Sequence, residues 1–112
     1  MSALIERLRA GRETWTTFEA WQFRVRRPTF YQLAQITRHD DDAAVVRVAV
    51  VGWKGMREQD LVAGGTADEA PFDIEVFLEW AQDRPDLWNH LLGEIGRLVS
   101  EHRIRIQAAE KN

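Results

Sequence analysis

His39, His90 and His102 are the side chains best suited to move a proton or hold a metal near neutral pH, and each stands alone. No His-x-x-x-His pair sets two ligands on one helix face, so structural or solvent-facing histidines are expected. Asp40-Asp41-Asp42 carries charge enough for a divalent cation, but three adjacent carboxylates in an extended segment point different ways. No downstream Gly or Glu completes a calcium loop, and a helix cap is the expected role. Gly52-Trp-Lys-Gly55 and Gly64-Gly65-Thr66 lack the Gly-Lys-Thr/Ser ending of a phosphate loop. The chain has no cysteine, which removes disulfides, thiolate catalysis and the common structural zinc sites. These residues point to a protein that is not an enzyme, with no cofactor and no metal.

Binding chemistry is better represented. Arg24-Val-Arg26-Arg27 beside Trp21, Phe23, Phe30 and Tyr31 could track a phosphate backbone while rings stack on bases. The net charge of −3 and the acidic middle of the chain oppose that, and no nucleic acid is expected. Edge-strand charge that blocks sheet-to-sheet association explains these arginines more simply. Residues 1–38 hold seven Arg against three Glu, a balance of +4. Residues 39–89 hold four basic against twelve acidic residues, or −8, and residues 90–112 four against three, or +1. A basic start and an acidic middle either steer a partner or attract one another within the chain, and the second is commoner in a chain this small. Five tryptophans in 112 residues supply both core filling and interface anchors. Most belong to the core, and Trp53, Trp80 and Trp88 are the candidates for a partner surface, Trp80 above all.

The elements that position these residues follow from periodicity. At 112 residues, with 45% hydrophobic and 29% charged residues, the chain reads as one globular domain over 1–112. No apolar run approaches the ~20 residues of a membrane span, and the interleaved N-terminus lacks a secretory block, so a cytoplasmic location is expected. Residues 1–11 form a short helix with Ser2 as N-cap, the stripe Leu4, Ile5, Leu8, and Gly11 at its end. Over residues 12–27 the period changes to two, giving a two-stranded β-ribbon with a weakly signalled turn at Phe18-Glu19-Ala20. Residues 28–52 hold two helices, the first opened by Pro28-Thr29 and broken at His39-Asp40-Asp41-Asp42.

The second of these, the run Ala43 to Val51, is ambiguous. Its five valines favour a strand, while the Asp cap and alanines favour a helix. A strand apolar on both faces would need cover on each side, which tips the reading to a buried helix. Residues 53–72 are a Gly-rich acidic loop with Met56 and Leu61-Val62 as apolar anchors. Residues 73–106 are a helical pair. Asp73 caps the first helix, Phe72 staples onto Phe77, and Asp83 with Pro85 and Asp86 starts the second. Gly93 and Gly96 mark either a close neighbour or a weak helix, and residues 107–112 are a fraying tail.

In the first helix of that pair Ile74, Phe77, Leu78 and Ala81 make one apolar line, and Val76 with Trp80 a second. The last helix carries Trp88, Leu92, Ile95 and Val99 as a seam. This is more apolar helical surface than a small domain needs for itself. Val76, Phe77, Trp80, Trp88, Leu92 and Trp53 are therefore the candidate partner-binding residues. The fold class expected is α+β, mostly helical, with an N-terminal two-stranded β-ribbon and two C-terminal amphipathic helices.

Over about residues 20–103, five stretches in order carry a family resemblance. They are Phe23-Arg-Val-Arg-Arg-Pro-Thr29, Val50-Val-Gly-Trp-Lys-Gly-Met56, Glu58-Gln-Asp-Leu61 with Gly64-Gly65, Pro71-Phe72-Asp73 and Asp83-Arg-Pro-Asp-Leu-Trp88. Together they resemble the small tail assembly chaperones of long-tailed bacteriophages and prophages. In that family a Val-Gly-Trp-x-Gly-Val/Met step follows an apolar helix, an acidic Gly-rich loop comes next, and a Pro-Phe pair opens paired C-terminal helices. The resemblance implies a noncatalytic, mostly helical protein of the host bacterial cytoplasm. Such a protein accompanies the tape measure protein, helps recruit tail tube protein and leaves the finished tail. It also implies kinship with the short product where a family member has a frameshifted longer form. It carries over no catalytic residues; Arg26-Arg27-Pro28 and Trp53 match its recurring pattern. The alternative is a structural tail or virion component, or another adaptor, in which the same faces make permanent homo-oligomer contacts.

Overall fold

The computed structural model describes residues 2–37 and 41–111. The break expected at His39-Asp40 lies outside the described residues. The chain opens with α1 (Ala3–Ala10), where the Ser2 hydroxyl accepts the Leu4 backbone N–H at 3.2 Å. Strands β1 (Glu13–Phe18) and β2 (Trp21–Arg26) follow as the antiparallel ribbon, paired from Glu13↔Arg26 to Phe18↔Trp21. Strict alternation puts Thr16, Phe18, Trp21, Phe23 and Val25 on one face, and Trp21, Phe23 and Val25 are buried there. At the turn Glu19 takes a φ of 54°, a conformation that costs an L-residue about 1–2 kcal/mol.

Helix α2 (Phe30–Thr37) begins with a reciprocal cap. The Gln32 N–H donates to the Thr29 hydroxyl at 3.1 Å and the Thr29 N–H to the Gln32 side-chain oxygen at 2.9 Å. The valine-rich run is neither wholly helix nor wholly strand. It forms α3 (Asp42–Ala49), capped by the Asp41 carboxylate, and then passes directly into β3 (Val50–Lys54). Val50 is at once the C-cap of α3 and the first strand residue. The expected two-stranded ribbon is thus extended to a three-stranded antiparallel sheet in the order β1-β2-β3, and the second helix expected to Gly52 stops at Ala49. The physical reason is the free edge of β2, whose unpaired backbone groups β3 satisfies. Only five residues enter the sheet, so the demand for cover on both faces stays small.

The stretch read as loop from 53 to 72 is more ordered than expected. Trp53 and Lys54 belong to β3, and Glu58–Leu61 forms a one-turn helix, α4. The loop closes on itself through Glu58 N–H to Asp68 O at 3.0 Å, Gln59 N–H to Thr66 O at 2.9 Å and Ala70 N–H to Met56 O at 2.8 Å. Helix α5 (Ile74–Ala81) is capped by Asp73, whose carboxylate accepts the Glu75 and Val76 N–H groups at 2.8 and 3.2 Å. Phe72 lies 6.3 Å from Phe77 between ring centroids. Helix α6 (Pro85–Glu110) has Arg84, not Asp83, at its N-cap, and Pro85 is its first residue. It runs on through the residues expected to fray, because Ala108 and Ala109 sustain helix and nothing terminates it before Lys111. At 26 residues it is about 39 Å long.

The fold is α+β and mostly helical, with α3, α5 and α6 packed on the sheet face that carries Phe23 and Val25. Phe77 is the aromatic hub. Its ring lies 5.7 Å from Phe23 and 6.4 Å from both Trp53 and Trp80. Leu87, Leu91 and Ile95 close the core from α6. His90, on the same helix, shares a 2.8 Å hydrogen bond with the Thr16 hydroxyl and so ties α6 to the ribbon.

Candidate partner-binding groove

Helix α5 has three faces with different fates. Phe77, Leu78 and Ala81 point into the core, Glu75 and Glu79 into solvent, and the line Val76–Trp80 lies between them. Opposite that line, the end of α4 presents Leu61 and Val62. Leu61, Val62, Val76 and Trp80, with Glu75 and Glu79 on one lip, surround an open groove of about 420 Å³. Val76 is 43% exposed and Val62 55%, so the groove walls are wetted apolar surface.

The groove floor is braced by ring and cation contacts. The Trp80 ring is held edge-on by Trp21 at 5.1 Å and lies under the Arg84 guanidinium at 4.6 Å. Trp21 in turn points its indole N–H at the Asp60 carboxylate at 3.4 Å, and that carboxylate also accepts the Arg57 N–H at 2.9 Å. The α4 turn and the ribbon are thereby fixed to each other beside the groove. Glu75 is paired with Arg47 of α3, and the hydrogen bond from Arg47 holds the Glu75 carboxyl below its usual range. Both groups are exposed, so the pair fixes the lip's geometry more than it stabilises the fold. The arrangement offers apolar contact, a rigid indole and negative charge on one side. It suits the apolar face of a helix flanked by basic residues.

The six residues singled out from the sequence divide. Val76 and Trp80 meet in the groove, joined by Leu61 and Val62 across it. Trp88 and Leu92 lie half-buried on α6 against the core and do not line the groove. Trp53 and Phe77 are 7% and 0% exposed and offer no surface to a partner. Trp53 is satisfied internally, its N–H donating to Ala70 O at 2.8 Å. Sequence reading passed over Glu75 and Glu79 as a lip, although they share one helix face at i, i+4. It also passed over Trp15, which is exposed on the outer sheet face beneath the Lys54 ammonium at 4.2 Å. Strict alternation with Thr14 and Thr16 was the signal for that placement.

The ribbon arginines are not edge charges, since β2 is the central strand. They serve Glu13: the Arg26 guanidinium donates two hydrogen bonds to its carboxylate, at 2.8 and 2.6 Å, and Arg24 lies 3.7 Å away. No ion pair among the described residues joins the basic start of the chain to its acidic middle. Among the described residues, the ion pairs are Glu13 with Arg24 and Arg26, Arg47 with Glu75, and Arg97 with Glu94 and Glu101. None of them joins residues 1–38 to residues 39–89. Among the described residues no group of three or more His, Asp or Glu could hold a metal, and no helix is long and apolar enough to cross a membrane.

No family model, curated protein or solved structure matches the chain.

Proposed function

We propose that this chain is a noncatalytic holding protein that takes an amphipathic helix of a partner into the groove between α4 and α5. The observation that carries this reading is the groove itself: three apolar side chains, Leu61 and the exposed Val62 and Val76, around a clamped tryptophan, beside two carboxylates. Exposed apolar surface of this kind costs solubility unless something covers it for part of the protein's working life.

The resemblance to the tail assembly chaperones of long-tailed phages supplies the partner's chemistry. The client is the tape measure protein, whose long apolar helical surfaces need cover before the tail tube protein assembles around it in the host bacterial cytoplasm. Helix-in-groove capture uses anchors spaced i, i+3, i+4 and i+7 on the client, which is how a long amphipathic helix presents itself. The test is co-expression of the full chain with segments of a long-tailed phage tape measure protein, followed by co-purification. Retention of a segment with basic residues flanking its apolar face is the expected result. Failure to retain any segment along the whole client would overturn the reading. The alternative, a permanent structural component, is separated by purified particles: the chaperone is expected to be missing from them.

A further inference from the structure

On the groove's lip Glu75 is taken by Arg47 while Glu79 has no ion pair among the described residues, and the opposite end of the same molecule carries an uncovered basic, apolar helix. Helix α1 contributes no buried residue to the fold. Its stripe Leu4, Ile5 and Leu8 stands in solvent, with Leu4 62% and Leu8 59% exposed. At 100° per residue, Arg7 falls on one side of that stripe and Arg9 on the other. Whichever way α1 is laid along a partner, one of the two arginines therefore faces a lip on either side.

α1 does not fill its own groove. It joins β1 through Gly11 and Arg12 alone, at the open end of the ribbon, where the Arg27 N–H donates to Arg12 O at 2.8 Å. The groove lies beside Trp21, at the turn end, one strand length of about 20 Å away. A two-residue link cannot span that distance and lay an eight-residue helix into the groove as well.

We infer that α1 of one copy docks its Leu4-Ile5-Leu8 stripe into the Val62-Val76-Trp80 groove of a second copy, joining molecules head to tail. Charge complementarity argues for this occupant. The basic start of the chain finds no acidic partner in the middle segment among the described residues, and the Glu79 carboxylate on the lip has no ion-pair partner there. Donor and acceptor sit at different places on each molecule, so the contact is heterologous and extends beyond two copies unless it closes into a ring. The inference uses the groove as a helix acceptor, as the proposed function does, and makes the second copy its occupant until a client displaces it.

A mixing experiment with the full chain tests this. Leu8→Glu removes the donor stripe and leaves the groove intact; Val76→Asp spoils the groove and leaves α1 intact. Both positions are exposed, so each variant should keep the fold, which circular dichroism checks. Sedimentation equilibrium of the wild type should give a mass that rises with concentration above the 13.0 kDa of one chain, and each variant should associate at least about tenfold more weakly. An equimolar mixture of the two variants should recover association but stop at twice 13.0 kDa, because only one competent donor and one competent acceptor remain. A wild type that stays at one chain mass, a Leu8→Glu variant that still associates, or a mixture that stays monomeric would each overturn the inference. Leu8→Glu should also retain the client segment. A failure of self-association is thereby distinguished from a failure of the groove.

Discussion

Phe77 links the ribbon, β3 and α5 through ring contacts with Phe23, Trp53, Phe72 and Trp80. Its truncation to Ala is expected to cost about 3–5 kcal/mol, a large share of a small domain's stability, as measured by urea denaturation. Gly93 and Gly96 are the opposite case. A Cβ at either position meets nothing within 4 Å, so they mark a weak helix and not a close neighbour. Replacing each with Ala should raise stability by about 0.5–1 kcal/mol in the same assay. His102 offers a pH readout. Its partial burial, then the Arg27 and Arg105 charges, holds it below its ordinary value of 6.5. The unfolded chain therefore takes up this proton first: the group's contribution to stability is complete above pH 6.5 and declines as pH falls through 6.5 toward the folded value. An NMR titration of the His102 ring should give a midpoint below 6.5, and Arg105→Gln should move it upward.

At the scale of elements, the groove depends on the shape of the loop between β3 and α5. Gly65 packs so closely on the Glu58 backbone that a Cβ would lie 2.7 Å from its carbonyl carbon and oxygen. Gly65→Ala should therefore displace α4 with its Leu61 and Val62, costing about 1–3 kcal/mol and weakening client retention, both measurable on one preparation. That closure was not legible in the sequence, where Gly64-Gly65-Thr66 reads only as a turn; the partner of Gly65 is backbone, which leaves no residue-type signal. α1, the ribbon, α5 and α6 were legible because each repeats one period long enough to define a face, and Ser2 and Asp73 cap where expected. The valine run was not, because its residues satisfy both templates. Its division at Val50 is decided by the open edge of β2, more than twenty residues earlier in the chain. Half of the candidate site was legible for the same reason: the line Val76–Trp80 is a local helical pattern, while its facing wall comes from a loop.

At the scale of the whole molecule, shape and charge agree. The radius of gyration is 15.6 Å and the long axis 57 Å, against about 13 Å for the radius of a compact chain of this length. The excess comes from elements that stand off the core, and they carry apolar groups with them: the α1 stripe, and Ile104 near the end of α6. The basic start and acidic middle, left without ion pairs to each other among the described residues, give the molecule two unlike ends. Association through the groove should accordingly weaken as added salt shortens the screening length below about 8–10 Å. The most direct measurement is co-purification of a tape-measure segment with the wild type and with Val76→Asp under identical conditions. Retention by the wild type and at least about a tenfold loss by the variant is the expected result, because the substitution sets a carboxylate among Leu61, Val62 and Trp80. Equal retention by both, or by neither, would contradict a groove that holds a client helix.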